Sequence, residues 1–188
     1  IIPGDITDIM TTILGGMKLS EDDLKAIEKT EGVEAVIPMV YKGETIKYQG
    51  DSKAVIISGI DFKKSLKILQ EDLGFSLAEG NWPVSGKREV MVGSLVSKDI
   101  FPDLKIGTQA KIGGMLFEIV GILKSRGSKQ DDSIIFVDLD IFEQITGEKK
   151  GAPEAIAKVQ NGFSPAEVAK NIEKNLSETS KRRVGETA

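Results

Sequence analysis

Between Leu77 and Val137 the chain is cut into short apolar runs, each closed by a glycine or opened by an acidic turn. The runs are Leu77-Ala-Glu-Gly80, Arg88-Glu-Val-Met-Val-Gly93, Leu104-Lys-Ile-Gly107, Phe117-Glu-Ile-Val-Gly121 and Asp131-Asp-Ser-Ile-Ile-Phe-Val137. Runs this short, rich in Val, Ile and Phe, suit strands rather than helices. Gly113-Gly114 between residues 108–112 and 115–123 is a hairpin signal and makes that pairing the best-specified long-range contact. No residue type suited to catalysis gathers around the series, which predicts a β-rich module built to hold a shape.

The flanks read differently. Ser20 caps a helix over residues 20–31, with Asp23 in the capping-box position, Leu19 and Leu24 as a hydrophobic staple, and Glu21, Asp22 and Asp23 at the positive end of the helix dipole. Gly32 suits the left-handed stop, and residues 33–40 resume as a strand in which Pro38 favours an edge or an end. Residues 41–48 and 53–60 read as extended. Asp61 caps a second helix carrying Phe62, Leu66, Leu69 and Leu73 at spacings of three to four and ending at Gly74. The pattern loosens around Gly80, Trp82-Pro83 and Gly86, a crossing into a second subdomain.

Further on, residues 94–101 read as a short helix stopped by Pro102 and residues 124–132 as a loop. Residues 133–137 form a strand, and a short helix begins at Asp138 or Asp140 and ends at Gly147. Residues 149–153 are a linker and 154–160 a strand in which Ile156 alternates with charged neighbours. Ser164-Pro165-Ala166-Glu167 combines proline at the first helical turn with a capping box and starts an amphipathic helix through Val168, Ile172 and Leu176. Residues 181–184 read as one more strand. The fold class is therefore α+β: a layered αβ subdomain built from both chain ends, residues 1–76 and 133–188, with a β-rich inserted subdomain, residues 77–132.

Composition narrows the function. A chain of 188 residues with 40% apolar content can bury an ordinary core. A net charge of −4 argues against nucleic acid, which needs a clustered basic face. The one basic cluster, Lys181-Arg182-Arg183, reads as a solvated terminal segment. The sequence has no cysteine and no histidine, so thiolate nucleophiles, imidazole bases and the commonest transition-metal ligands are missing. The longest apolar runs, residues 54–57 and 119–123, fall far short of the roughly 20 residues a membrane helix requires. The start, Ile1-Ile2-Pro3, lacks both an initiator methionine and a signal peptide. The expectation is an excised segment whose targeting elements lie elsewhere.

Paired carboxylates at Asp22-Asp23, Glu71-Asp72, Asp131-Asp132 and Asp138/Asp140 are the only acid clusters worth weighing. A hard cation takes about six or more oxygen ligands, and no spaced D-x-D-x-D-G series accompanies Asp131-Asp132. Leu14-Gly15-Gly16 lacks both G-x-G-x-x-G and a phosphate-binding lysine, and reads as a flexible turn. Ser94 has no histidine to activate it, G-x-S-x-G is absent, and no lysine stands out as a dyad partner. No catalytic, cofactor-binding or metal residue is expected, and no cofactor. Residues 125–132 and 80–86 are left as loops able to meet a partner.

The order of Leu24-Lys-Ala-Ile-Glu-Lys-Thr-Glu-Gly-Val33, Val36-Ile-Pro38, Ile57-Ser-Gly-Ile-Asp61, Leu77-Ala-Glu-Gly80, Val90-Met-Val-Gly93, Leu104-Lys-Ile-Gly107, Phe117-Glu-Ile-Val-Gly121, Asp131-Asp132 with residues 134–137, and residues 156–159 before a capped helix resembles the MacB-like periplasmic core domain. The likeness runs from about Leu19 to Leu176, and its specificity lies in order and spacing. It implies the large extracytoplasmic loop of a MacB/FtsX-type ABC transporter permease, on the outer side of the cell membrane, with a porter-like and a sabre-like subdomain and both termini toward the membrane. It also implies flanking membrane helices outside this chain, a cytoplasmic ABC ATPase, a second permease copy and an extracytoplasmic accessory protein. The role implied is non-enzymatic, passing ATP-driven motion outward for export or control of an external partner. The alternative is a soluble extracytoplasmic domain that binds a peptide or small ligand. Flanking apolar segments in the gene favour the first; a ligand-induced thermal shift without them favours the second.

Overall fold

The computed structural model describes residues 9–12, 18–148 and 151–186. Its first elements are β1 (Ile9–Thr12), α1 (Glu21–Glu28), β2 (Val33–Tyr48), β3 (Asp51–Ile60), α2 (Phe62–Glu71), β4 (Leu77–Gly80) and β5 (Glu89–Val92). After a π-type helical turn at Val96–Ile100 come β6 (Gln109–Ile112), β7 (Met115–Leu123), α3 (Lys129–Asp132), β8 (Ile134–Asp138), α4 (Leu139–Thr146), β9 (Glu154–Val159) and α5 (Pro165–Glu186). Helices and strands mix as α+β, in two compact units: Ile1–Met39 with Lys150–Ala188, and Val40–Lys149.

The unit made from the chain ends is a small antiparallel sheet under two helices. β9 lies between β1 and the first part of β2. Pro38, opposite Ala155, sits in an edge portion of β2 as expected, where its missing N–H costs no ladder bond. The helix-facing core joins Leu19, Ile27 and Val33 to Ala155, Ala157 and Val159 of β9 and to Val168, Ile172 and Leu176 of α5. The face of β9 turned to the helices is thus the Ala155, Ala157 and Val159 face, with small side chains admitting close approach, and Ile156 belongs to the other face.

Helix α1 starts where the sequence says. Asp23 N–H donates to Ser20 Oγ at 3.2 Å and Ser20 N–H donates to Asp23 Oδ2 at 2.8 Å, the reciprocal capping box. The helix stops at Glu28, earlier than expected. Thr30 turns its hydroxyl back to the Ala26 carbonyl at 2.8 Å and accepts from Asn175 Nδ2 at 2.9 Å, tying the end of α1 to α5. Gly32 then takes the left-handed conformation at φ +86°, with the Phe163 and Val168 side chains packed over its Cα. Helix α5 begins at Pro165 but runs to Glu186, so residues 181–184 are helical rather than a strand. No glycine or proline interrupts residues 166–184, and helix propagation adds a backbone bond per residue at little cost.

The inserted unit is a ring of strands. β2 pairs β3, β3 pairs β8 in parallel, β8 pairs β5, β5 pairs β7 in parallel, β7 pairs β6, and β6 returns to β2. The ring closes through two residue pairs, Ile46↔Ile112 and Lys47↔Lys111. β4 adds to β7 beyond β6. Ile46, Ile57, Val90, Val92, Ile112, Phe117, Ile119, Ile135 and Val137 are each at most 1% exposed and form the filling. The 109–123 hairpin appears as expected.

The division by packing falls at Met39/Val40 and Lys149/Lys150, where the sequence places it at 76/77 and 132/133. The reason is β8: it hydrogen-bonds β3 on one side and β5 on the other, so β3 and β8 share a sheet with the glycine-punctuated strands. A short helix expected at 94–101 is the π-type turn, closed by Phe101 N–H to the Val96 carbonyl at 2.8 Å. That wide turn delivers Phe101 edge-on to Tyr48, with ring centres 5.7 Å apart. Gly15, Gly16 and the Lys149 end of the linker lie outside the described residues.

Candidate functional site

The segment from Lys124 to Ser133, expected as a loop, is an ordered cap over the end of the β-rich unit. Ser128 caps α3, accepting from Asp131 N–H at 3.3 Å. Asp132 is 4% exposed and turns inward: its Oδ2 accepts from Ser125 Oγ at 2.6 Å and its Oδ1 from Arg126 N–H at 2.8 Å. Burial pushes the Asp132 carboxyl up, but the Ser125 hydroxyl, the Arg126 and Gly127 N–H groups and the Arg126 charge outweigh it and hold the group below the ordinary 3.8. Asp132 is thus a buried anion whose role is to fold the loop around itself.

Arg126 pins the same loop from outside. Its guanidinium lies 4.2 Å above the Phe75 ring centre, donates from Nη1 to the Leu73 carbonyl at 2.8 Å, and pairs through Nε with Asp131 at 3.7 Å. Phe75 meets Phe136 of β8 edge-on at 5.8 Å. Beneath, Gly93 brings the backbone after β5 against α3; a Cβ there would stand 3.0 Å from the Asp131 carbonyl oxygen and closer still to that of Asp132. Nothing in the sequence signals the Arg126–Phe75 pair, because it joins residues far apart in the chain. Lys129 and Gln130 are exposed on the outer side.

The second expected contact segment, residues 80–86, is also held. Asn81 N–H donates to the Val120 carbonyl at 2.7 Å and Val84 N–H to Glu89 Oε2 at 2.8 Å. Pro83 is buried, Trp82 half-buried, and Val84 is 50% exposed.

The paired carboxylates go to structural tasks one by one. Asp22 pairs with Lys25 at 3.8 Å while Asp23 closes the capping box. Glu71 pairs with Lys67 at 3.8 Å, and Asp72 ends α2. Asp138, 2% exposed, caps α4 by accepting from Asp140 N–H at 3.3 Å, while Asp140 is exposed. Ser94 is buried, with no hydrogen-bond partner on Oγ. Among the described residues no group of three or more carboxylates converges as a metal site, and no helix is long and apolar enough to cross a membrane. Its buried acids, Asp23, Asp132 and Asp138, hold backbone.

The comparisons with known proteins agree with one another. The family model described as the MacB-like periplasmic core domain matches residues 2–175. An uncharacterized ABC transporter permease of Methanocaldococcus jannaschii is 29% identical over 159 residues, which cover 84% of this chain and 40% of the relative. The macrolide export ATP-binding/permease protein MacB of Marinobacter nauticus is 26% identical over 136 residues, 63% of this chain and 19% of the relative. The chain therefore spans well under half the length of these curated relatives. The crystal structure of the periplasmic region of MacB from Actinobacillus actinomycetemcomitans is similar at TM-score 0.72 and 17% identity, covering 95% of this chain and 85% of that one. The extracellular domain of the noncanonic ABC-type transporter YknZ from Gram-positive bacteria follows at TM-score 0.69 and 16% identity, covering 89% and 87%. Those two likenesses speak for the fold.

Proposed function

This chain belongs to the MacB-like periplasmic core domain family, and from that membership we propose that it works as the extracytoplasmic domain of an ABC transporter permease, carrying ATP-driven motion to the outside of the membrane. The observation that carries the proposal is the family match over residues 2–175, nearly the whole chain. The physics of the two units supports it. A part that transmits motion needs stiff bodies, since packed cores respond as units rather than deforming continuously. The ring of strands filled by fully buried Ile, Val and Phe is one such body. The reading is non-enzymatic, and it assigns as partners a cytoplasmic ABC ATPase, a second permease copy and an extracytoplasmic accessory protein, with the Ser125–Asp132 and Gly80–Gly86 segments as contact loops.

The full gene is the first check. It is expected to encode an apolar segment of roughly 20 residues before this domain and further ones after it; a reading frame lacking them would sink the proposal. The second check is hydrogen exchange on the full-length permease, reconstituted with its ATPase. Exchange within residues 18–186 is expected to differ between the ATP-bound and nucleotide-free states, and identical protection in both would refute motion passed to this domain.

A further inference from the structure

Strands β3, β2, β6 and β7 fill the ring with one face and turn the other outward. On that outward face Ile56 stands opposite Gly43, Lys47 opposite Lys111, and Lys111 opposite Leu116, with Glu118 two residues further along β7. All of them are exposed, so among the described residues no helix or loop covers these positions, whereas Ser58 and Ile60 further along the same face of β3 are buried. Ile56 and Leu116 are 44% and 53% exposed and give this face its apolar points. A side chain at Gly43 would meet nothing within 4 Å, so the surface beside Ile56 is open.

The lysines decide the chemistry. Like charges directly opposed across an antiparallel pair are destabilising, and Lys47↔Lys111 is one of the two pairs that close the ring. Neither lysine has an ion-pair partner among the described residues. The chain as a whole carries −4, so this pair stands apart from its surface. A carboxylate placed between the two ammonium groups turns one repulsion into two attractions, and apolar side chains beside it cover Ile56 and Leu116.

We propose that the outward face of β3, β2, β6 and β7 is a docking surface for an acidic protein segment that turns both carboxylate and apolar side chains to one face, at every second residue. The surface follows from the sheet alone and does not depend on the transmission of motion. The test uses the 188-residue chain and a synthetic peptide with glutamate and valine in turn at every second residue and serine between them, with the same peptide bearing lysine for glutamate and phosphatidylglycerol vesicles as the other arms. The glutamate peptide is expected to shift backbone amide resonances confined to residues 43–56 and 109–118, and to bind more weakly as salt rises. Lys47→Gln or Lys111→Gln is expected to weaken it about two- to fivefold each, the usual worth of one surface charge contact. Lys47→Arg with Lys111→Arg should bind like the native chain, which separates lost charge from lost fold. No binding, equal binding of the lysine peptide, unchanged affinity in both Gln variants, or shifts elsewhere would overturn the proposal. Binding to the vesicles in place of the peptide overturns it in favour of a membrane contact.

Discussion

At the residue scale the best-defined group is Asp132, a buried carboxylate whose hydrogen bonds come from the loop it organises. Its folded value lies below the ordinary 3.8, so its stabilisation is present above that value and is lost as pH falls through the lowered one. Asp132→Asn is expected to cost about 1.5–3 kcal/mol at neutral pH, the worth of hydrogen bonds to a charged group. In thermal unfolding the gap between native chain and variant should close as pH drops below 3.8; a gap that stays constant into acid would mean that the charge contributes nothing. Gly93 tests the same contact from the other side. Gly93→Ala forces a methyl into the α3 backbone and should cost about 1–3 kcal/mol in chemical denaturation, as overpacking usually does. The sequence marks Gly93 as the end of a run, but not as the floor beneath Asp132, because the two meet only when β8 pairs with β5.

At the element scale, local chemistry states its boundaries well where a side chain answers a backbone group within one turn. Ser20 and Asp61 cap the helices that follow them, as their spacing predicts, and of the two candidates Asp138 and Asp140 it is Asp138 that caps α4. Ser20→Ala is expected to cost about 1 kcal/mol and to increase hydrogen exchange at the first turn of α1, read by mass spectrometry. Ends without such a signal are harder to read: α5 runs on through residues 181–184 because nothing stops it. The turn at Val96–Ile100 is also hidden locally, since the contact it leads to, Phe101 against Tyr48, joins residues far apart in the chain. Tyr48 donates from its hydroxyl to the Asp103 carbonyl at 3.1 Å and accepts from Gln49 Nε2 at 3.1 Å, so it holds β2 to the segment before β6. Tyr48→Phe keeps the ring contact and removes those bonds. The expected loss is about 0.5–1.5 kcal/mol, with amide protection falling at residues 103–108 and persisting in β8.

At the scale of the whole molecule, charge is the property read directly from composition. With pI about 5.1 the isolated domain should be least soluble near that pH and clear again on either side, measured by light scattering. The α+β class, the helices at each end and the β-rich middle also followed from periodicity and capping, because helix and strand patterns are short-range. The resemblance to a permease ectodomain rested on the same short elements in order, and the family match over residues 2–175 bears it out. Apart from the β6–β7 hairpin, which strands neighbour one another was settled by tertiary structure alone. β8 could have joined the chain ends, yet it lies between β3 and β5, and β2 leaves β9 to close the ring on β6. Every one of these strands is apolar on at least one face, so each could bury itself against several partners. Local sequence therefore determined what each segment is; the shared filling of the ring decided where it goes, and with it which lysines were left facing each other in water.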